Sequence, residues 1–251
     1  MRYRRLVPLF CLCVFGAVAL PGWAEAEVDH SIYGDLLAKY VSDGVVDYQG
    51  LQQEESKLDQ YLELLNNTDP EQLSRQEQYA LYINAYNAYT LKLILENCPV
   101  ESIKDIGGWF GSPWKIEFCK VGGEVYTLDE IEHDILRPRF KDPRVHFAVN
   151  CASKSCPPLI AEPYREETLD QQLDENTIAF LNDPNHNYLE DDTLYVSRIF
   201  KWFGGDFNDD PVSFVLQYAQ GDLKEQLLAR KDRIEVEYLD YDWSLNGQCQ
   251  Q

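Results

Sequence analysis

Between Glu77 and Glu96 the chain reads EQYALYINAYNAYTLKLILE, and from Tyr79 onward this run is apolar on nearly every side at helical spacing. A helix with no polar face must be covered on most sides, so it belongs at the centre of whatever the chain builds. Ser74 and Glu77 form an S-x-x-E capping box at its start. Asn97, Cys98 and Pro99 end it. Asn84 and Asn87 are the polar exceptions, three apart and therefore on one face. A buried asparagine needs hydrogen-bond partners. Two roles stay open for the pair: fastening loops to the helix, or lining a site.

Helices and strands alternate irregularly around this run. Residues 30–40 and 55–65 carry apolar positions at helical spacing, the second through Leu58, Tyr61, Leu62 and Leu65. Asp43-Gly44 turns the chain into the short strand VVDY. Gly122-Gly123 between PWKIEFCKV and EVYT suits a tight hairpin. Thr127 and Glu130 make a second capping box, ahead of a short helix carrying Glu132 and His133. Later come a helix at 168–182, a hairpin around Asp191-Asp192, and helices at 211–219 and 222–230. A half-buried strand follows in IEVEYLDY. The order predicts one α+β domain over 27–251, with no repeat and no linker.

Residues 1–26 stand apart. Arg2, Arg4 and Arg5 precede an apolar run from Leu6 to Leu20, followed by Ala24-Glu25-Ala26. That order predicts a secretory signal peptide cleaved after Ala26, and a periplasmic or secreted protein. The apolar core falls short of the roughly 20 residues a membrane span needs. The net charge of −21 disfavours nucleic acid and anionic lipid as partners. The expected partners are an unidentified substrate or another protein, with no stable membrane insertion after cleavage.

Of seven cysteines, Cys11 and Cys13 leave with the leader, and Cys98, Cys119, Cys151, Cys156 and Cys249 remain. An oxidising compartment makes pairing the expectation. Cys98–Cys119 is the first pairing to consider and Cys151–Cys156 the second.

The chemistry is concentrated in RVHFAVNCASKSCPPL, residues 144–159. Alternation of Val145, Phe147 and Val149 against His146, Ala148 and Asn150 predicts a strand running into a proline-ended loop with Cys151 and Cys156. A strand end feeding a constrained loop is a good place to hold a reactive group. A Cys/His site built on Cys151 and His146 is one reading; a thiol nucleophile needs a nearby base, and an Asn, Asp or Glu to orient it. Structural thiols or a small disulfide is the other. Metal binding through Cys151, Cys156, His133 and His146 has only a loose C-x4-C spacing behind it, so neither a metal nor another cofactor is called. Carboxylate chemistry at Glu130, Glu132 and Asp134, or an aromatic groove of Tyr86, Tyr89, Trp202 and Phe203, are further readings. The chain lacks G-x-S-x-G, G-x-x-x-x-G-K-[ST] and G-x-G-x-x-G, which disfavours serine hydrolases, P-loop enzymes and Rossmann dehydrogenases.

These motifs, with SPWKIEF, VGGEVYTLDEIEHDILR, SRIFKWFGGDF and YDWSLN, resemble the family called domain of unknown function 547. The resemblance spans roughly residues 79–246. It carries over onto Asn84, Asn87, Glu132, His133, His146, Cys151, Cys156 and Pro157. It also implies a papain- or transglutaminase-like core: a buried central helix packed on an antiparallel sheet whose strand carries the histidine. The departure is that the central helix here holds Asn84 and Asn87 and no thiol. The resulting expectation is thiol-dependent hydrolysis or acyl transfer at amide or related acyl bonds. Cys151 is then the nucleophile, His146 the base and Glu132 or an asparagine the orienting group, with Asn84, Asn87, His133, Asn150 and Cys156 as binding residues. The rival is a non-catalytic binding or scaffold domain.

Overall fold

The computed structural model describes residues 27–108 and 111–249. The expected leader at 1–26 lies outside the described residues. Nine α-helices appear among those described: α1 (Ser31–Tyr40), α2 (Tyr48–Gln53), α3 (Glu55–Asn67), α4 (Arg75–Asn97), α5 (Leu128–Glu130), α6 (Leu169–Leu181), α7 (Ile199–Trp202), α8 (Pro211–Tyr218) and α9 (Gly221–Arg230). Beyond α5 the helix widens into a π-helical segment, Ile131–Phe140, that contains Pro138. Two hairpins pair β1 (Val41–Ser42) with β2 (Val45–Val46) and β3 (Cys119–Val121) with β4 (Glu124–Tyr126). A three-stranded sheet sets β5 (Tyr188–Glu190) antiparallel to β6 (Thr193–Val196), with β7 (Glu235–Tyr238) parallel to β6. The chain is α+β.

The central helix is where its composition puts it. From Tyr79 to Leu91 every residue of α4 is buried, under α3, β3 and the π-helical segment. Its predicted cap is half formed. Ser74 Oγ accepts from Glu77 N at 3.0 Å, but the Glu77 carboxylate accepts from Val28 N at 2.9 Å instead of closing the box. That bond ties the first described residues onto the helix. The Thr127/Glu130 box is complete, with bonds of 3.0 and 2.7 Å. At the β3–β4 turn both glycines have positive φ, 64° and 82°, as a two-residue turn of this kind requires.

The strand expected at 145–150 is absent. Pro143–Phe147 forms a 3-10 turn, started by Asp142, whose Oδ1 accepts from Arg144 N at 3.0 Å. Every residue from Val145 to Asn150 is buried. Alternation marks a strand only when one face meets water, so here the pattern had no discriminating power. The helix-on-sheet core implied by the family resemblance rests on that strand; in this chain the histidine comes off a helical turn.

The turn joins two apolar clusters. Val145 packs into the larger one around α4, and Phe147 into an aromatic one with Phe180, Phe200 and Phe207. His146 therefore sits at their seam. Among the described residues no helix is long and apolar enough to cross a membrane.

Candidate functional site

The two central-helix asparagines build the site without entering it. Asn87 donates to Ala148 O at 2.9 Å and accepts from Asn150 N at 2.8 Å. Asn84 clasps the Tyr164 backbone the same way, at 2.8 and 2.9 Å. Asn150 turns inward and braces its own loop, donating to Pro157 O at 2.7 Å and accepting from Ala152 N at 2.8 Å. Of the two roles open for Asn84 and Asn87, loop fastening is the one observed. None of these three side chains lines the cleft described next.

That cleft, of about 220 Å³, lies at the seam of the two clusters. Its floor and walls include Glu132, His133, His146, Cys151, Cys156 and Pro157, with Tyr86, Trp114, Trp202, Phe203, Tyr241 and Trp243 as an aromatic surround. Glu132 and His133 are chain neighbours that point apart, yet both reach it. Glu132 is on the inner wall at 8% exposure, and His133 is at the rim beside Asp129. Tyr89, the remaining member of the expected groove, instead donates its hydroxyl to Lys120 O at 2.9 Å.

His146 is the best-defined group. Its Nε2 lies 2.7 Å from Asp206 Oδ2, and Asp206 also receives Arg137 Nε at 2.6 Å and Nη2 at 3.2 Å. These donors, His146 first, hold the Asp206 carboxyl well below its ordinary range. An ionised acceptor makes Nε2–H the donor, so the lone pair sits on Nδ1. That atom is buried without a hydrogen-bond partner, 4.0 Å from Glu132 Oε1. Burial lowers the His146 pKa, against the opposing pull of Asp206, so the ring is neutral near pH 7. Phe203 stacks on it at 4.1 Å between centroids. Burial pushes the Glu132 carboxyl up to about 7, opposed by Arg137 and a hydrogen bond from Tyr86. Two titrating groups with displaced pKa values thus face each other beside a cavity, the arrangement acid–base sites share.

Asp206 was not among the residues the sequence pointed to. It is the acidic residue of SRIFKWFGGDF, and the short turn Gly204–Phe207 delivers it. Arg137 and Tyr241 join the site in the same way, through motifs already visible, while Tyr86 belonged to the expected aromatic groove.

The cysteines pair differently from expectation. Cys98 bonds Cys249 rather than Cys119, with Cα atoms 5.5 Å apart. The closing segment runs back beside the end of α4, where Leu245 N donates to Glu101 O at 2.8 Å and so brings Cys249 alongside. Cys119 is fully buried in β3 as a free thiol, its pKa driven well up by burial. Cys151 and Cys156 are bridged, with Cα atoms 6.2 Å apart. The proposed nucleophile is therefore tied up in this state.

Fold and cleft together define an α+β protein with a pocket that holds His146 and Glu132 and is walled by aromatic rings and a disulfide. Residues 70–181 match the model of the family described as "Protein of unknown function, DUF547". The match holds Glu132, His146, Cys151 and Cys156 and ends before Asp206, Trp202 and Tyr241. No curated protein and no solved structure is detectably similar to the chain.

Proposed function

We propose that the cleft performs thiol-dependent hydrolysis or transfer of an amide or related acyl group. The observation that carries this reading is the Asp206–His146 pair, which fixes one ring nitrogen as donor and leaves the other as an unpartnered acceptor toward Glu132. A general base needs that orientation. Cys151 is the nucleophile in the form whose bridge to Cys156 is open, His146 takes its proton, and Glu132 serves as the proton donor below pH ~7. The aromatic surround holds the apolar part of the substrate.

The test is to open the bridge with mild reductant and follow the iodoacetamide rate at Cys151 against pH. Labelling well above that of an ordinary thiol near pH 7, lost in His146→Ala, is expected. A wild-type rate no faster than a free thiol removes the nucleophile.

A second reading, a non-catalytic binding domain, is favoured by the bridged sulfurs and the sealed Nδ1. It predicts that the oxidised chain and Cys151→Ala bind a ligand equally well. Export to the periplasm or medium goes with either reading, supported by the leader pattern and by two cystines. Mature protein beginning at Glu27 is the expected N-terminus; an intact leader on the folded product argues against export.

A further inference from the structure

The two cystines differ in what surrounds their sulfurs. Cys156 Sγ accepts two hydrogen bonds, from the Cys151 backbone N–H at 3.0 Å and from the Tyr241 hydroxyl at 3.1 Å. Cys151 Sγ lies 3.3 Å from Ser153 Oγ and 3.4 Å from Tyr241 Oη. The Ser153 proton, however, is given to Tyr241 at 3.1 Å, and a phenol has a single proton to give, which goes to Cys156. Among the described residues neither sulfur of Cys98–Cys249 accepts a hydrogen bond. Exposure is also uneven: Cys156 is buried, while Cys151 is half-buried and faces the cleft.

We propose that Cys151–Cys156 is a redox-active disulfide opened by dithiol reductants, with Cys151 the sulfur attacked and Cys156 the leaving group. A reductant thiolate bonds to Cys151 Sγ, and the Cys151–Cys156 bond breaks. Its electron pair goes to Cys156, which leaves as the thiolate. The reductant's second thiol, giving up its proton to solvent, then displaces Cys151. The reductant departs as a disulfide, and protons from solvent complete the two protein thiols. Exchange runs faster as the leaving sulfur becomes a better anion. The N–H and O–H aimed at Cys156 stabilise that developing charge. Opening places a free Cys151 in the cleft with His146 and Glu132. That use as an on-switch rests on the acyl-transfer reading, whereas the exchange chemistry does not.

Cys156 also borders a second cavity, lined by Asn150, Lys154 and His186. Attack from that side would put the reductant on Cys156, so the site of the mixed disulfide decides the matter. The full chain is exposed to glutathione, quenched with acid, alkylated with N-ethylmaleimide and mapped by peptide mass spectrometry. Expected are glutathione on Cys151, maleimide on Cys156 and an intact Cys98–Cys249 bridge. Tyr241→Phe is expected to slow opening about tenfold, the loss of one hydrogen bond to a charged group. Glutathione on Cys156, no adduct on the folded chain, or both bridges opening at one rate overturns the proposal, as does an unchanged rate in a folded Tyr241→Phe. Should that variant not fold, the adduct position in the wild type still decides. A chain that exchanges as described but turns over no acyl substrate refutes only the acyl-transfer reading.

Discussion

Replacing Glu132 with glutamine should make the protein more stable at alkaline pH. The Glu132 side chain is buried beside Tyr86, and its carboxyl is raised from an ordinary 4.5 to about 7, chiefly by desolvation. Below pH ~4.5 the group is protonated in both folded and unfolded chains and costs nothing. Between 4.5 and 7 the unfolded chain releases the proton while the folded one keeps it, so stability falls as pH rises. Above 7 the loss is complete. At ~1.4 kcal/mol per pH unit the displacement corresponds to ~3 kcal/mol. Glutamine keeps an acceptor for the Tyr86 hydroxyl and cannot ionise. The variant should therefore exceed the wild type by less than ~1 kcal/mol near pH 5 and by ~3 kcal/mol near pH 9. Urea unfolding followed by tryptophan fluorescence at pH 5, 7 and 9 measures the difference, in which titrations common to both chains largely cancel. Curves that stay parallel across that range would refute the placement of a raised carboxyl at Glu132, and with it the proton donor of the proposed mechanism.

Asp206→Asn should cost about 2 kcal/mol near neutral pH, because one amide oxygen cannot satisfy both His146 and Arg137. The folded pKa of Asp206 is depressed, so its contribution is whole above the unfolded value near 3.8 and fades as pH falls below it. A gap that widens in acid would contradict the ion-pair account. Asn87→Ala strips partners from the buried Ala148 carbonyl and Asn150 N–H, and a loss of roughly 2–4 kcal/mol in denaturant titrations is expected. A near-neutral result would mean the loop is held by other means. Cys98→Ser opens a cystine spanning 151 positions and should cost about 4 kcal/mol. Non-reducing peptide maps that recover Cys98 joined to Cys119 would show the pairing to be wrong.

Much of the local structure was legible because it depends on neighbours in sequence. The all-round apolar run became the central helix, and the Gly122-Gly123 and Asp191-Asp192 turns became hairpins. Asn84 and Asn87 were marked as needing partners, and the partners turned out to be loop backbones. The 145–150 segment misled, because a stretch buried on all sides has no water-facing side to reveal its period.

The sequence by itself determined the central helix, its capping serine and the residue types available for chemistry, since helix burial and turn formation act over a few neighbouring positions. Tertiary structure alone decided that Asp206 meets His146 from sixty positions away, that Cys249 takes the place expected for Cys119, and that Cys151 is bridged. Hydrogen bonds and disulfides form only at contact distance. Which distant side chains come within that distance depends on how the two apolar clusters pack around His146, and spacing along the chain does not encode it.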